Sequence, residues 1–549
     1  MFRKTIVKLL VFLVLLYAAV SVAGNFMTPT WTTWNNNNTF KGIYDIPANR
    51  LQAVFVGTSS VTNGISPMEL YKNYGICAYN LGSEQQPMAV SYYLAKEIYR
   101  RNPKTLKLVV VDLAFITKTT EEELRLKPFA EKALVRIRPS QVKLEAALDF
   151  AKFYESVDPL NYLFPVLSYH SRWSELTKED FSYHNNFFTM GQNLEYTQSS
   201  GFLAPEKILM PPVDLTTAGK YSDETIRGII GKQAFTYLSK TKVFCDEHGI
   251  QMLAVKIPKT WNNAKHFAAQ YAADSLGIPF IDLNEHEYFE KMNFVPATDM
   301  TDASHCNGNG ARKITSYLGS YIKENYDIPD IREDPEYRFM EKYAALYRQT
   351  EKDLELRKIT DLSEYLPRMF SDQYFVVISA YDEAADGLDD EIREQIASLG
   401  LTNLSRMQEG ESYLGIIDSG RVVLDAGTNE SEKGFRAYGT YENGQVKLYD
   451  VQILEGTEDE PYMSTGSGYF QATSKGLNAG NASSVNIDGT GYSPQRRGLN
   501  FVVLRKDTEQ VVSTCVFDTH KGTERLYRHD VIEEYLDLYE STYGVRLKP

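Results

Sequence analysis

The chain is poor in cysteine. Four occur in 549 residues (Cys77, Cys245, Cys306 and Cys515), widely scattered and with no Cys-x-x-Cys or Cys/His spacing. The sequence therefore offers no metal site, no disulfide framework and no cofactor motif. Cys306 stands beside His305 and reads as a packed free thiol. Cationic charge is also short: 58 Lys and Arg against 72 Asp and Glu leave a net charge of −14. That balance excludes nucleic acid and anionic lipid as the main partner, and leaves a neutral or cationic polymer open. Long hydrophobic runs are absent beyond the N-terminus, and no internal repeat is present.

The exception at the N-terminus reads as an export signal. Arg3, Lys4 and Lys8 precede an apolar stretch over residues 9–23. Positive charge stays on the cytoplasmic side, so everything after about residue 25 faces outward. Ser21-Val22-Ala23 fits a small-residue cleavage site. Residues 5–26 fit a bilayer span with Lys8 snorkelling. The expected location is the cell membrane with the bulk extracellular, or secretion if the segment is cut. The 37 tyrosines supply either stacking surfaces for sugars or core and sheet residues.

A chain of this length exceeds one ordinary core. Residues 1–26 form the signal or anchor, and 27–45, rich in Thr, Trp and Asn, an extended tether. From 46 to 329, β-type runs (52–56, 78–81, 108–113, 252–257, 279–283) alternate with helical patterns (67–74, 88–101, 223–247, 261–276). This predicts an α/β domain with a parallel sheet covered on both faces. Residues 118–222 interrupt the alternation as a mostly helical insertion or lid, with aromatic stretches at 162–173 and 181–188, or as a plain subdomain. Residues 330–365 read as a charged helical linker. Residues 366–549 read as a β-rich α+β domain.

Two short motifs carry chemistry. Gly57-Thr58-Ser59-Ser60 directly follows the first apolar run, and Asp302-Ala303-Ser304-His305 closes the α/β half. In parallel sheets the chemistry collects at strand C-terminal ends, where Ser59 falls. A serine hydroxyl becomes nucleophilic when a base takes its proton. His305 can do so if Asp302 holds the imidazole in the productive tautomer. The Ser59 and Gly82 N–H groups are the candidate oxyanion donors, with the Gln86 amide on the same rim. Taken alone, each motif also reads as an ordinary turn or helix start. Gln86, His170, Arg172 and Trp173 are the candidate substrate contacts, although His170 also fits a packed polar aromatic cluster.

These residues resemble a known family. Gly57-Thr58-Ser59-Ser60, Asn80-Leu81-Gly82 and Asp302-x-x-His305 look like blocks I, II and V of the SGNH/GDSL hydrolase superfamily, over about residues 50–325. The resemblance implies a flavodoxin-like three-layer α/β/α fold, with Ser59 as nucleophile, His305 as base, Asp302 as orienter and Gly82 as an oxyanion donor. One block departs: where the family often carries Gly-x-Asn-Asp, this chain has Asp112-Leu113-Ala114-Phe115. That departure, the apolar N-terminus and the insertion are similar to the exported acyltransferase branch, which includes the D-alanine transfer protein DltD and the alginate O-acetylation proteins. Members hand acyl groups to extracellular polymers, commonly beside a membrane-bound O-acyltransferase.

The C-terminal part resembles the interleukin-like EMT inducer (PANDER-like) domain. The likeness rests on residues 374–382, 468–489, Arg497-Gly498-Leu499-Asn500 with the strand that follows, and Phe517-Asp518-Thr519-His520. It implies glycan or partner binding without catalysis; a structural spacer is the other reading. The expectation is thus exported acyl transfer (O-acetyl or D-alanyl) to or from a cell-envelope polysaccharide through an acyl-enzyme on Ser59. The alternatives are a carbohydrate esterase, or a non-catalytic glycan-binding or assembly factor with a degenerate hydrolase fold.

Overall fold

Five short aliphatic runs build one parallel sheet. Strands β1 (Ala53–Gly57), β2 (Ala78–Gly82), β3 (Leu108–Asp112), β4 (Gln251–Lys256) and β5 (Phe280–Asp282) lie in the order β2-β1-β3-β4-β5, with every neighbouring pair parallel. The structure, a computed structural model, describes residues 2–29, 37–154, 158–176, 188–190, 192–193, 211–260, 262–356, 358–430, 432–442, 445–455, 468–523 and 529–548. The sheet is buried on both sides, which is why its strands read as unbroken apolar runs rather than alternating ones. Val54, Val56, Val109 and Val111 pack on one face with Leu94, Ile98 and Leu238. Phe55, Val110, Leu253 and Val255 pack on the other with Ile314 and Leu318. The strand order turns back at β1, which lies between β2 and β3. The crevice beyond its C-terminal end is where open α/β sheets place ligands.

The helices that matter below are α1 (Phe2–Met27), α2 (Ser59–Gly64), α3 (Met88–Arg101), α4 (Pro159–Leu163), α5 (Pro165–Tyr169), α6 (Lys232–Glu247), α7 (Gly308–Asn325), α8 (Met340–Leu356) and α9 (His529–Tyr543). Within α1, Lys4–Gly24 holds an 18-residue stretch of mean hydropathy 2.6 with no buried residue, while Gly24 at its end is buried. It is long and apolar enough to cross a membrane, and a signal segment has the same character. The described part of 118–222 is mainly helical, including Thr120–Arg125, Lys127–Arg136, Gln141–Phe153, α4 and α5. The aromatic stretch at 181–187 and tether residues 30–36 lie outside the described residues, as does Trp261.

The second half is built on a ten-stranded sheet. At its centre Tyr374–Asp382 pairs antiparallel with both Tyr413–Asp418 and Gly498–Arg505. The sequence words at the C-terminal end have a structural reason. Arg497 makes a two-pronged pair with Asp518 at 2.8 and 3.0 Å. At Gly498, φ is +107° and a Cβ would meet the Phe517 carbonyl oxygen at 1.9 Å, so only glycine fits there.

Helix α8 joins the halves. Its Tyr347 hydroxyl donates to Glu69 at 3.0 Å, while Asp353 pairs with Arg505 at 2.8 Å, both side chains fully buried. Asp353 also accepts from the Tyr374 hydroxyl at 2.8 Å. Helix α9 returns to the first half, where Tyr535, Leu536 and Tyr539 pack with Phe289, Met292 and Val295.

Removing one partner of a buried ion pair leaves the other undercompensated, and without Asp353 the buried Arg505 keeps the half-exposed Asp507 at 2.7 Å. Asp353→Ala is expected to lower unfolding free energy by about 3–5 kcal/mol, measured by urea denaturation. A loss below about 1 kcal/mol, the range of surface pairs, would contradict this account of the junction.

Candidate active site

Gly57 ends β1 because nothing larger fits: a Cβ there would lie 2.6 Å from Asp112 Cβ and 2.7 Å from Val61 Cγ2. Thr58 then caps α2, accepting from the Ser60 N–H at 3.3 Å and donating from its own hydroxyl to Asp112 Oδ2 at 3.1 Å. Ser59 becomes the first residue of α2, at the rim of the sheet. Among the described residues nothing accepts from its backbone N–H, so that group is available to a ligand at a helix N-terminus.

The other motif folds as a small hairpin. Met300–Asp302 pairs with His305–Cys306, with Asp302 opposite His305. Asp302 Oδ1 accepts from the Ser304 N–H at 2.7 Å, closing the turn. Thr260 holds it from outside, donating its N–H and hydroxyl to the Ala303 carbonyl at 2.7 and 3.0 Å. Asn307 caps α7 through contacts to the N–H groups of Asn309 and Gly310 at 2.9 and 3.2 Å. The start of α7 comes so close to Asp299 that a Cβ on Gly310 would lie 2.2 Å from the Asp299 carbonyl oxygen.

The two motifs meet. Ser59 Oγ lies 2.9 Å from His305 Nε2, and His305 Nδ1 lies 3.0 Å from both carboxylate oxygens of Asp302. A carboxylate only accepts, so Nδ1 carries the proton and Nε2 faces the serine as an acceptor. His305 is mostly buried, while Asp302 is about half exposed. The arrangement can take a proton from Ser59 and stabilise the resulting imidazolium.

The remaining sequence candidates are placed differently. The Gly82 N–H donates to Asn80 Oδ1 at 3.0 Å, and Asn80 in turn donates to the carbonyls of Val61 and Ile65. Gln86 is buried, accepting from the Ser83 hydroxyl at 2.7 Å and donating to Ser91 at 2.9 Å. His170 bonds to the Leu167 carbonyl and Arg172 to the Met27 carbonyl at 2.7 Å. Trp173 is 71% exposed. These bonds tie His170 to its own insertion and Arg172 to the end of α1. Cys306 is packed against Met300 Sδ at 3.6 Å, and burial pushes its thiol well above the usual range. Among the described residues no group of three or more His, Cys, Asp or Glu side chains could hold a metal.

Sequence reasoning passed over the support beneath the triad. Asp112, noted there only as a departure, anchors the nucleophile turn through Thr58. Lys256 ends β4 fully buried, and burial lowers its ammonium to about 7 against the opposing pull of Asp112. Lys259, on the loop stapled to Ala303, is lowered for the same reason. A lysine at a strand's last residue was the one signal available.

Comparison with known proteins touches only the second half. Residues 342–421 match the family model described as interleukin-like EMT inducer, which supports the C-terminal likeness. The match starts within α8 and includes the central strand Tyr374–Asp382. No curated protein matches the chain.

Lys256 gives a pH test. Unfolded, its ammonium holds a proton up to about pH 10; folded, it releases it near 7. Between these values the unfolded state binds more protons, so this group makes stability rise with pH. Thermal melts of wild type and Lys256→Met from pH 7 to 10 are expected to diverge, with wild type gaining as pH rises. Parallel curves would contradict the assignment.

Proposed function

We propose that the chain is an exported, serine-dependent enzyme of SGNH type, held at the membrane by α1, that moves an acyl group onto or off a cell-envelope polysaccharide. One observation carries the reading: the Ser59 hydroxyl, the His305 ring and the Asp302 carboxylate form a continuous hydrogen-bonded chain of 2.9 and 3.0 Å at the C-terminal edge of a parallel sheet. The strand order β2-β1-β3-β4-β5 is also that of flavodoxin-like folds.

In this mechanism His305 Nε2 accepts the Ser59 proton as Oγ attacks an ester carbonyl, O-acetyl or D-alanyl. Asp302 holds the ring and stabilises its charge. The Ser59 N–H, at the start of α2, faces the oxygen that becomes negative. The imidazolium returns its proton to the departing alcohol, leaving an acyl-enzyme. A sugar hydroxyl, deprotonated by the same Nε2, resolves it by transfer; water resolves it by hydrolysis. The C-terminal domain holds the polymer near the cleft, and a membrane-bound O-acyltransferase is the natural source of acyl groups.

A second reading, a glycan-binding assembly factor with a silent triad, draws on the engagement of the Gly82 N–H by Asn80. It leaves Ser59 as the one available donor of the two expected.

The test is turnover of 4-nitrophenyl acetate by the full-length chain, with and without unmodified oligosaccharide acceptors. Ser59→Ala and Asp302→Asn should each lower kcat by about 10³-fold or more with unchanged melting temperature. Acetylated oligosaccharide marks the transferase; acetate release alone marks an esterase. Wild-type turnover equal to that of Ser59→Ala would leave the assembly-factor reading.

A further inference from the structure

The helical pair α4–α5 is more than part of an insertion. From Pro159 to Tyr169 the chain carries no charged side chain, and charge returns only at Asp158 before it and at Arg172 and Glu175 beyond it. The pair lies along the outer end of α1. Phe164, between the two helices, meets the Tyr17 ring edge-on at 6.1 Å. A Cβ on Gly24 would lie 3.3 Å from the Val166 nitrogen and 3.6 Å from Pro165. Two arginines fix the end of α1 where it leaves the apolar run. Arg172 donates to the Met27 carbonyl at 2.7 Å, and Arg136 donates to the carbonyls of Thr28 and Pro29 at 3.2 and 2.5 Å. Cations suit a helix C-terminus, so this end is seated on the body of the protein.

The lengths then set a depth. Lys4–Gly24 is 21 residues, about 31 Å at 1.5 Å per residue, which matches a hydrocarbon core of about 30 Å. Gly24 therefore marks the outer boundary, and Tyr17 lies about 10 Å below it. Phe164, packed on Tyr17, sits below that boundary too. On the side away from the core, Leu160 and Leu167 are 46% and 47% exposed, and Trp173 is 71% exposed one residue from the arginine that holds Met27. Tryptophan beside arginine at the end of an apolar span is the pattern of a membrane–water interface.

The backbone also tolerates this placement. In hydrocarbon an unpaired N–H is costly. Both helices begin with proline, which has no N–H to satisfy. At the junction, the Phe164 N–H donates to the Leu160 carbonyl at 2.8 Å, and the Phe164 carbonyl accepts from Leu167 at 2.9 Å.

We infer that α4 and α5 form a second, shallow membrane anchor that dips into the outer leaflet beside α1, with Leu160, Phe164 and Leu167 in lipid and Trp173 at the headgroups. The inference rests on the reading of α1 as a span. It assigns His170, Arg172 and Trp173 to lipid-surface contact, and it holds the mouth of the parallel sheet at a fixed height above the bilayer.

The test uses the full-length chain in phosphatidylcholine vesicles. All four native cysteines are buried, so single exposed replacements can be labelled with an environment-sensitive fluorophore. Leu167→Cys, with Leu160→Cys as a second site should the first fail to fold, is expected to give blue-shifted emission that spin-labelled lipid quenches. Ser398→Cys, on the far half, is expected to give unquenched emission as in water. Leu167 and Leu160 labels that match Ser398 would overturn the inference. A Val14→Cys label tests the span separately: water-like emission there sinks the reading of α1, while the Leu160 and Leu167 labels still decide α4 and α5.

Discussion

The proposed chemistry depends on one contact made across 246 residues of chain, the hydrogen bond from the Ser59 hydroxyl to His305 Nε2. Neither partner reaches the other unaided. Ser59 is delivered by a turn that tolerates no side chain at Gly57 and is tied down by Thr58 on Asp112. His305 is delivered by a hairpin that Thr260 and Asn307 hold from two sides. The 2.9 Å separation therefore depends on the end of β1, which sets the Ser59 turn, and on the loop after β4, whose Thr260 holds the hairpin. Loosening either support moves one partner away from the other, and in the proposed mechanism small displacements of the base would cost a large part of the rate.

Much of this was legible from the chain alone, for identifiable reasons. The β-runs stood out because strands buried on both faces need unbroken apolar residues, as in Val109–Val110–Val111. Ser59, Asp302 and His305 stood out because their residue types are chemically restricted and fell at a strand end and in a loop. The oxyanion side was less legible. Gly82 has the backbone position a donor needs, yet its N–H turns to Asn80, a side chain two residues back. A local side-chain hydrogen bond of that kind leaves no pattern in sequence. Gln86 likewise reads as a rim amide but is spoken for by Ser83 and Ser91.

The long-range arrangement was the least legible part. The charged pattern at 330–365 reads as a solvated helix. In the fold, α8 places Asp353 against Arg505 with both fully buried, a pairing over 152 residues that periodicity does not encode. Helix α9 looks like a tail of the β-rich half, yet its tyrosines complete the core beneath the parallel sheet. The same limit applies near the N-terminus. Arg172 and Trp173 read as substrate contacts on a lid, whereas the partners in space of Phe164 and Arg172 are Tyr17 and Met27 of α1. The likeness to interleukin-like EMT inducers, over residues 342–421, begins within the helix that braces the parallel-sheet half.

The most direct measurement of the central claim is adduct mapping with a serine-directed fluorophosphonate on the intact chain, read by peptide mass spectrometry. A base-activated serine predicts one modified peptide, bearing the phosphonyl group on Ser59, that disappears when His305 is replaced by alanine. An adduct that persists without His305, or one found on another serine while Ser59 stays unmodified, would contradict it.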